Sequence, residues 1–335
     1  MSTLRHGGDL EAFGRHNPDA VRPLIDLSTG INPHAYEALI SKDWMTRLPC
    51  HADEEACRAA FAAYAGVDAD LVHVMPGTQT IISGLPHLFH GKRVAVLSPT
   101  YGEHEAGWRA ADHTVTPYSA SEVLTADADI IVVTNPNNPD GYTFEPAALR
   151  ACQARQRARG GWLVVDEAFV DCTPELSVAA EVQNGGLLIL RSFGKFFGLA
   201  GLRLGFLLAP DHVAVPLVER LGPWSVSTPA LRIATAANGD AAWIAETRKH
   251  LGQQMDRLRE KVVPHFGTEV GHTPLFVLLH VEQSAGVARH LADHGIFVRT
   301  FPNMPNCLRL GLPGKPWAWD RLETALTEWE HKNEC

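Results

Sequence analysis

One lysine, Lys195, stands in surroundings that surface lysines do not have. It lies in Arg191-Ser-Phe-Gly-Lys-Phe-Phe-Gly198, directly after the apolar run 187–190, and Arg203 follows eight residues later. An apolar setting lowers the pKa of a lysine, and a neutral amine is a nucleophile that forms Schiff bases with carbonyl groups. The pattern therefore predicts an amine nucleophile at the end of a buried strand.

Asp166 is a second residue with the surroundings of a chemical group. It comes directly after the apolar run 162–165, so we expect its carboxylate to be partly desolvated. Such a carboxylate stays charged only beside a cation or strong hydrogen-bond donors. Asp166 is therefore predicted to pair with a positively charged group, whereas a structural role is favoured for Glu167 beside it.

A candidate phosphate cradle is assembled from separate parts of the chain. After the apolar run 71–74, Pro76-Gly-Thr-Gln79 opens a predicted helix. The first backbone N–H groups of a helix and its dipole favour an anion such as phosphate. The predicted cradle consists of Gly77, Thr78, Ser192 and Arg203.

An amine, a buried acid and a phosphate cradle are the three features that pyridoxal 5′-phosphate requires. The cofactor needs a lysine for its aldehyde, a partner for its protonated pyridine nitrogen and an anion site. A nicotinamide cofactor would instead need Gly-x-Gly-x-x-Gly after the first strand, and the sequence lacks that motif. The residues therefore predict pyridoxal phosphate as the cofactor.

The elements that must position these residues follow from the hydrophobic pattern. Apolar runs alternate with helical segments, which predicts an α/β fold with a doubly wound, mostly parallel sheet. Ligands of such a sheet lie beyond the carboxyl ends of its strands. The predicted strands are 71–74, 93–98, 129–134, 162–165, 187–190 and 204–208, and the predicted helices include 54–64, 102–111 and 145–159.

Three regions of the chain differ in pattern. Residues 1–30 show little periodicity and are predicted to form an N-terminal arm. Residues 31–245 are predicted to form the large cofactor-binding domain. Residues 246–335, where helical segments flank strand-like runs, are predicted to form a smaller α+β domain.

Composition excludes several classes of protein and partner. The chain has 335 residues, 45% of them hydrophobic, and 29 Lys+Arg against 38 Asp+Glu give a net charge of −9. This is a globular composition, and an acidic balance without basic runs argues against nucleic acid as a partner. No apolar stretch approaches the roughly 18 residues of a membrane span. The sequence has six scattered cysteines without a CxxC motif and no pattern of a secretory leader, which together predict a cytoplasmic protein. The spacing of its histidines predicts no metal site.

Four motifs together resemble one enzyme family. They are Ser-Phe-Gly-Lys-(x)7-Arg, Asn135-Pro-Asn-Asn-Pro-Asp-Gly141, Val165-Asp-Glu-Ala-Phe169 and Pro99-Thr-Tyr-Gly102. Their order and spacing are similar to those of fold type I pyridoxal-phosphate enzymes of the histidinol-phosphate aminotransferase-like group, over nearly the whole chain. The resemblance implies that fold, a homodimer and a small phosphorylated amino acid as substrate.

The resemblance also implies a role for individual residues. Lys195 would carry the Schiff base and Asp166 would bind the pyridinium nitrogen. Asn138 would bind the phenolic oxygen of the cofactor, and Tyr101 would stack on its ring. Gly77, Thr78, Ser192 and Arg203 would hold its phosphate.

Within this group, the N-terminal segments resemble the threonine-phosphate decarboxylases of cobalamin biosynthesis. The segments are His6-Gly-Gly8, Leu27-Ser-Thr-Gly-Ile-Asn-Pro33, Pro76–Gln79 and Pro99–His104. Decarboxylation of L-threonine O-3-phosphate is the implied reaction. The residues expected to hold the substrate are Arg299, Arg309, His6 and Asn32.

Two positions depart from the aminotransferases of the group. Phe169 stands where many have a tyrosine that bonds the phenolic oxygen, and Leu48 stands where many have a tyrosine that reaches a neighbouring subunit's phosphate. Both departures weaken a transamination assignment without removing it. Histidinol-phosphate aminotransferase is the alternative function, and a silent pyridoxal-phosphate-binding regulator is the third. Regulators of this fold usually carry an additional DNA-binding domain, for which 335 residues leave no room.

Overall fold

The computed structural model describes residues 6–333 of the chain. Its strands are β1 (Ile25–Asp26), β2 (Val72–Met75), β3 (Arg93–Leu97), β4 (Thr114–Tyr118), β5 (Ile130–Thr134), β6 (Trp162–Asp166), β7 (Leu187–Ser192), β8 (Gly205–Leu208), β9 (Thr268–Thr273), β10 (Phe276–His280), β11 (Ile296–Phe297), β12 (Arg299–Phe301) and β13 (Met304–Gly311). Its α-helices are α1 (Leu10–His16), α2 (Lys42–Thr46), α3 (His51–Ala65), α4 (Thr78–Gly84), α5 (Glu103–Ala110), α6 (Pro146–Ala158), α7 (Phe193–Phe196), α8 (Asp211–Leu221), α9 (Thr228–Gly239), α10 (Ala241–Phe266), α11 (Ser284–Asp293) and α12 (Pro316–Asn333).

The described chain forms two compact units. The larger unit contains residues 35–138 and 142–245, and the smaller one contains residues 6–34, 139–141 and 246–333. The three-part division predicted from the sequence remains a prediction.

The larger unit is built on a seven-stranded sheet in the order β2-β8-β7-β6-β5-β3-β4. The pairs from β4 through β7 are parallel, whereas β8 is antiparallel to both β7 and β2. All five residues of β5 are buried, as a continuous apolar run in a two-sided sheet requires. The predicted α/β fold with a mostly parallel sheet is confirmed.

Apolar helix faces cover this sheet. One core cluster contains Val132 and other sheet residues together with Ile81 of α4, Leu85 directly after α4, Trp108 of α5 and Leu217 of α8. On β8, the ring of Phe206 stacks on Phe61 of α3 at 3.8 Å between centroids. Helices thus lie against the strands that hold the candidate site, and they leave the strand ends to carry its polar groups.

The smaller unit contains a four-stranded antiparallel sheet in the order β12-β13-β10-β9. Strand β1 pairs in parallel with β11, and Phe13 of α1 stacks on Phe297 of β11 at 4.6 Å. The segment predicted as an arm of little periodicity therefore contains a helix and a strand. A helix of seven residues and a strand of two are too short to produce a clear periodic pattern.

Other elements also differ from the sequence expectations, for identifiable reasons. The hydrophobic pattern did not predict strand β4 or helix α8, and each of them contains a proline, which ordinarily argues against a strand or a helix. Pro117 is tolerated because β4 is an edge strand, and Pro216 lies inside α8. Strand β9 is a polar edge strand. Within residues 6–333, no helix is both long and apolar enough to cross a membrane.

Candidate active site

Most of the predicted cofactor residues lie at one edge of the larger unit's sheet. Asp166 and Ser192 are the last residues of β6 and β7, and Tyr101, Asn138 and the start of α4 follow β3, β5 and β2. Strand β8 runs the other way, so its first residue, Gly205, pairs with Ser192 at the same edge. This reversal places Arg203, just before β8, among residues that follow the parallel strands.

Asp166 is 4% exposed, and donors are arranged around its carboxylate. The Nε2–H of His104 donates to Oδ2 at 2.9 Å, and the backbone N–H of Ala168 donates to Oδ1 at 3.0 Å. These donors offset the cost of burying the carboxylate. The arrangement suits a carboxylate that binds a protonated ring nitrogen.

His104 is a residue of this site that the sequence did not single out. It is 2% exposed and lies in the first turn of α5, with its backbone N–H bonded to the carbonyl of Tyr101. The imidazole stands edge-on to the Tyr101 ring at 6.1 Å. The sequence offered one indication of this residue, since His104 stands three positions after Tyr101, which is predicted to stack on the cofactor ring. Its contact with Asp166 could not be predicted from local sequence because it spans 62 positions.

Lys195 lies in α7, the short helix that directly follows β7. Its Nζ lies 5.6 Å from the ring centroid of Phe169, which is 4% exposed. The side chain that lies beside the amine at position 169 is therefore a phenyl ring without a hydroxyl. The phenyl ring makes part of the amine's surroundings apolar.

The predicted phosphate cradle is close-packed around Gly77. Gly77 has φ of +82°, and a Cβ built on it would lie 2.9 Å from Nη2 of Arg203. A Cβ on Gly205 would lie 2.8 Å from the backbone nitrogen of Thr78. The guanidinium thus lies against the first residues of α4, where backbone N–H groups have no helical partner. Two kinds of anion donor converge there.

Two further contacts orient residues predicted to touch the cofactor ring. The hydroxyl of Tyr101 donates to Oε1 of Gln79 at 3.0 Å, which fixes the direction of the ring. Asn137, in the turn after β5, bonds two residues that follow β3. Its Oδ1 accepts from the Thr100 hydroxyl at 2.7 Å, and its Nδ2 donates to the carbonyl of Pro99 at 2.9 Å. Asn138 is half-buried in that turn. Asn137, which the sequence did not single out, anchors the turn for it.

The residues of this edge fit pyridoxal phosphate. A buried carboxylate with its own donors suits the pyridinium nitrogen, and the Gly77 region has a guanidinium and backbone donors for the phosphate. Lys195 supplies the amine. Among residues 6–333, no group of three or more His, Cys, Asp or Glu side chains could hold a metal ion.

Arg299 and Arg309 lie side by side in the smaller unit, at paired positions of β12 and β13. Arg309 is 7% exposed, its Nη2 donates to the carbonyl of Ser28 at 2.9 Å, and its guanidinium lies 4.9 Å from the Phe276 ring centroid. Burial, together with the charge of Arg299, lowers the pKa of Arg309 to about 10. Two neighbouring guanidiniums, one of them buried, suit an anionic ligand, which would relieve their repulsion.

The predicted N-terminal substrate residues lie in the same unit. The backbone N–H of Gly8 donates to Oγ of Ser28 at 2.8 Å, so the segment that carries His6 reaches the residue that Arg309 contacts. His6 is exposed. Asn32 is 2% exposed, and its Oδ1 accepts from the backbone N–H of His34 at 2.8 Å. Asn32 therefore also has a structural role in its turn.

Comparisons with known proteins agree with this geometry. The profile of the family described as aminotransferase class I and II matches residues 22–318. The chain belongs to this family. A relative named threonine-phosphate decarboxylase, from Pseudomonas aeruginosa, is 43% identical over 327 residues, which are 96% of this chain and 97% of that protein. The predicted resemblance is confirmed.

More distant members of the family have other names or a lower identity. A relative named histidinol-phosphate aminotransferase, from Ruminiclostridium cellulolyticum, is 27% identical over 81% of each chain. The crystal structure of L-threonine-O-3-phosphate decarboxylase from Porphyromonas gingivalis superposes with a TM-score of 0.78 at 20% identity, covering 92% of this chain and 100% of that one. At that identity the superposition shows a shared fold, as predicted.

Proposed function

We propose that this chain decarboxylates L-threonine O-3-phosphate to (R)-1-amino-2-propanol O-2-phosphate, with pyridoxal phosphate as its cofactor. The observation that carries the proposal is 43% identity to a threonine-phosphate decarboxylase over 96% of the chain. The aminotransferase relative is 27% identical over 81%. In cobalamin, an aminopropanol phosphate of this kind is the linker to the nucleotide loop. The proposed reaction therefore belongs to cobalamin biosynthesis.

The residues at the sheet edge divide the work of holding the cofactor. When bound, pyridoxal phosphate supplies an aldehyde that captures amines and a protonated ring that takes up the electron pair left by carbon dioxide. Asp166, which accepts a hydrogen bond from His104, would keep the ring nitrogen protonated. Arg203 and the backbone at Gly77 would hold the phosphate. Tyr101, whose hydroxyl bonds Gln79, would contact the ring.

Lys195 has two tasks in this proposal. Its Nζ would bind the aldehyde of the cofactor. The same Nζ would carry the proton that the substrate α-carbon takes up in exchange for carbon dioxide. The Phe169 ring beside Nζ supplies no hydroxyl that could hold the phenolic oxygen, which supports decarboxylation over transamination.

Arg299 and Arg309 are assigned to the anionic groups of the substrate. The residues that hold the carboxylate and the phosphate would fix the orientation of the substrate and so select the bond that breaks. Paired guanidiniums on neighbouring strands supply planar, bidentate donors for such groups. His6 and Asn32 are proposed as additional substrate contacts.

A two-substrate assay tests the reaction. Purified protein with pyridoxal phosphate is supplied with threonine phosphate, and released carbon dioxide is measured. In parallel it is supplied with histidinol phosphate and 2-oxoglutarate, and glutamate is measured. We expect carbon dioxide in the first reaction and no glutamate in the second. Glutamate without carbon dioxide would show the aminotransferase function instead.

The Lys195→Ala variant separates both enzymes from a silent binding protein. We expect the visible absorbance band of lysine-bound pyridoxal phosphate in the wild-type protein and its loss in the variant, together with carbon dioxide release. A band that the variant retains, or the absence of any band in the wild-type protein, would remove the premise of both enzyme functions.

A homodimer is proposed as the assembly. The segment 36–50 carries apolar side chains that face solvent in the single chain: Leu39 is 92% exposed, Met45 68%, Leu48 62% and Ile40 61%. A contiguous segment of this kind favours burial against a second copy. Light scattering should give twice the mass of the chain, and a monomer at micromolar concentration would contradict the dimer.

A cytoplasmic location is proposed as well. The cysteines at positions 50, 57, 152 and 307 are not in disulfide bonds in the structure. Free thiols suit a reducing compartment. Fractionation of cells that express the protein should recover it with cytoplasmic markers.

A further inference from the structure

A group of three buried charged side chains and one half-buried tyrosine lies beside the candidate site and has no role in the reaction described above. It consists of Arg191, Glu167, Asp171 and Tyr64, called here the Arg191 cluster. Arg191 and Asp171 are each 4% exposed, and Glu167 is fully buried. Arg191 Nη1 lies 3.3 Å from Oε2 of Glu167, and Nη2 donates to Asp171 Oδ1.

Most polar groups of this cluster are matched with one another, whereas Nε of Arg191 is buried without a hydrogen-bond partner among residues 6–333. The Tyr64 hydroxyl donates to Oδ1 of Asp171 at 2.9 Å. The Ser177 hydroxyl and the Val178 backbone N–H each donate to the Glu167 carboxylate at 2.8 Å. Burial raises the pKa of Glu167, while Arg191 and these donors oppose that shift. The cluster therefore holds its charges through specific, directional contacts.

Two members of the cluster are sequence neighbours of two cofactor residues. Glu167 follows Asp166, and Arg191 precedes Ser192. The backbone N–H of Glu167 donates to the carbonyl of Leu190 at 2.8 Å. This hydrogen bond joins the ends of β6 and β7 at the positions of Asp166–Glu167 and Arg191–Ser192. Successive side chains of a strand point to opposite faces. The side chain of Arg191 therefore points away from the face that Ser192 occupies.

Arg191 also joins these strand ends to α3. Its guanidinium lies 5.6 Å from the Phe61 ring centroid and 6.0 Å from that of Tyr64. A buried ion pair adds little stability compared with apolar residues of the same volume, although removing one partner is costly. What ion pairs do provide is a defined geometry, because a guanidinium fork bonds its carboxylates at fixed angles.

We infer that the Arg191 cluster positions the cofactor-binding ends of β6 and β7. Arg191 holds Glu167 and Asp171 and thereby sets the placement of Asp166 relative to Ser192, so its members are positioning residues. The inference rests on the proposed function only in taking Asp166 and Ser192 as cofactor contacts. It is tested by cofactor affinity, which does not depend on which substrate reacts.

The main variant is Arg191→Met, which keeps an apolar stem of similar length and leaves Glu167 and Asp171 without their shared cation. Their repulsion should move the chain that begins at Asp166. We expect the Kd for pyridoxal phosphate, measured by absorbance titration, to rise by about tenfold, the effect of one lost charge-assisted hydrogen bond. The rate of decarboxylation should fall with little change in KM. Arg191→Lys, which keeps the charge but not the fork, should have an intermediate Kd.

Arg93→Met is the matched control. Arg93 also bridges two carboxylates of the larger unit, Asp127 at 3.0 Å and Asp129 at 3.2 Å, but it lies at the first residue of β3 and is exposed. The first residues of parallel strands lie at the edge opposite the candidate site. We expect this variant to bind pyridoxal phosphate like the wild-type protein.

Thermal denaturation of each variant separates folding from positioning. If Arg191→Met does not unfold cooperatively, Asp171→Asn takes its place, because it keeps Arg191 paired with Glu167. A lowered Tm with an unchanged Kd and unchanged absorbance maximum, in whichever variant folds, would overturn the inference. If the wild-type protein binds pyridoxal phosphate but releases no carbon dioxide, the proposed reaction fails, while the Kd ratios still decide the role of the cluster.

Discussion

Asp166 and His104 form a hydrogen-bonded pair that is almost sealed from water, at 4% and 2% exposure. A carboxylate that must face a protonated ring has to keep one orientation, and a side chain with two oxygens can rotate unless both are held. His104 holds one oxygen and the Ala168 N–H holds the other. In the proposed function the imidazole would therefore act on the cofactor only through Asp166, as a positioning residue.

The His104→Phe variant tests this role. The phenyl ring keeps the volume but leaves Oδ2 of Asp166 without the imidazole donor, so we expect the Kd for pyridoxal phosphate to rise by roughly tenfold. His113→Phe is the control: His113 is 7% exposed, and its Nε2 bonds the carbonyl of Pro86. The control should lose stability and keep its Kd. Equal Kd values for both variants would contradict the role of His104.

At the scale of elements, the site depends on how closely α4 approaches β8. Gly205 leaves room for the backbone of Thr78, and Gly77 leaves room for the Arg203 guanidinium. Both contacts join residues that are far apart in sequence. The antiparallel direction of β8 brings them to the same edge of the sheet.

The Gly205→Ala variant should disturb this approach. Its Cβ would lie 2.8 Å from the Thr78 nitrogen, so α4 or β8 must shift, at a cost of about 1–3 kcal/mol for overpacking. We expect weaker binding of pyridoxal phosphate and of inorganic phosphate as its competitor, both measured by titration. Gly201→Ala, where a Cβ meets nothing within 4 Å, is the control. If Gly205→Ala binds both anions like the control, the cradle does not depend on this packing.

At the scale of the whole molecule, the two units hold different parts of the chemistry. The larger unit carries the residues proposed for the cofactor, and the smaller unit carries Arg299, Arg309 and the N-terminal segment. Variants in the two units should therefore affect different binding steps.

Two arginine variants test this division. Arg309→Met in the smaller unit should raise the KM for threonine phosphate by roughly 100-fold, because a buried charged contact is lost, and leave the Kd for pyridoxal phosphate unchanged. Arg203→Met in the larger unit should weaken pyridoxal phosphate binding instead. Steady-state kinetics with saturating cofactor and cofactor titrations give the two values. An Arg309→Met protein with wild-type KM would remove Arg309 from the substrate site.

The sequence by itself determined the fold class and indicated which residues are candidates for the site. Continuous apolar runs such as Ile130–Val133 indicate parallel strands, because only strands buried on both faces lack polar alternation. The residues after those runs could be identified as site candidates because strand ends of such a sheet meet at one edge. Lys195 and Asp166 follow from these local patterns alone.

The tertiary structure alone decided which distant residues support that site. The direction of β8 depends on strand order. The hydrogen bond of His104 with Asp166 and those that join Arg191, Glu167, Asp171 and Tyr64 span 20 to 107 positions of sequence. These pairings cannot be predicted from local sequence, because they are stabilised by burial that depends on the packing of many residues together. The buried polar contacts that position Asp166 and Ser192 therefore became visible only in the folded chain.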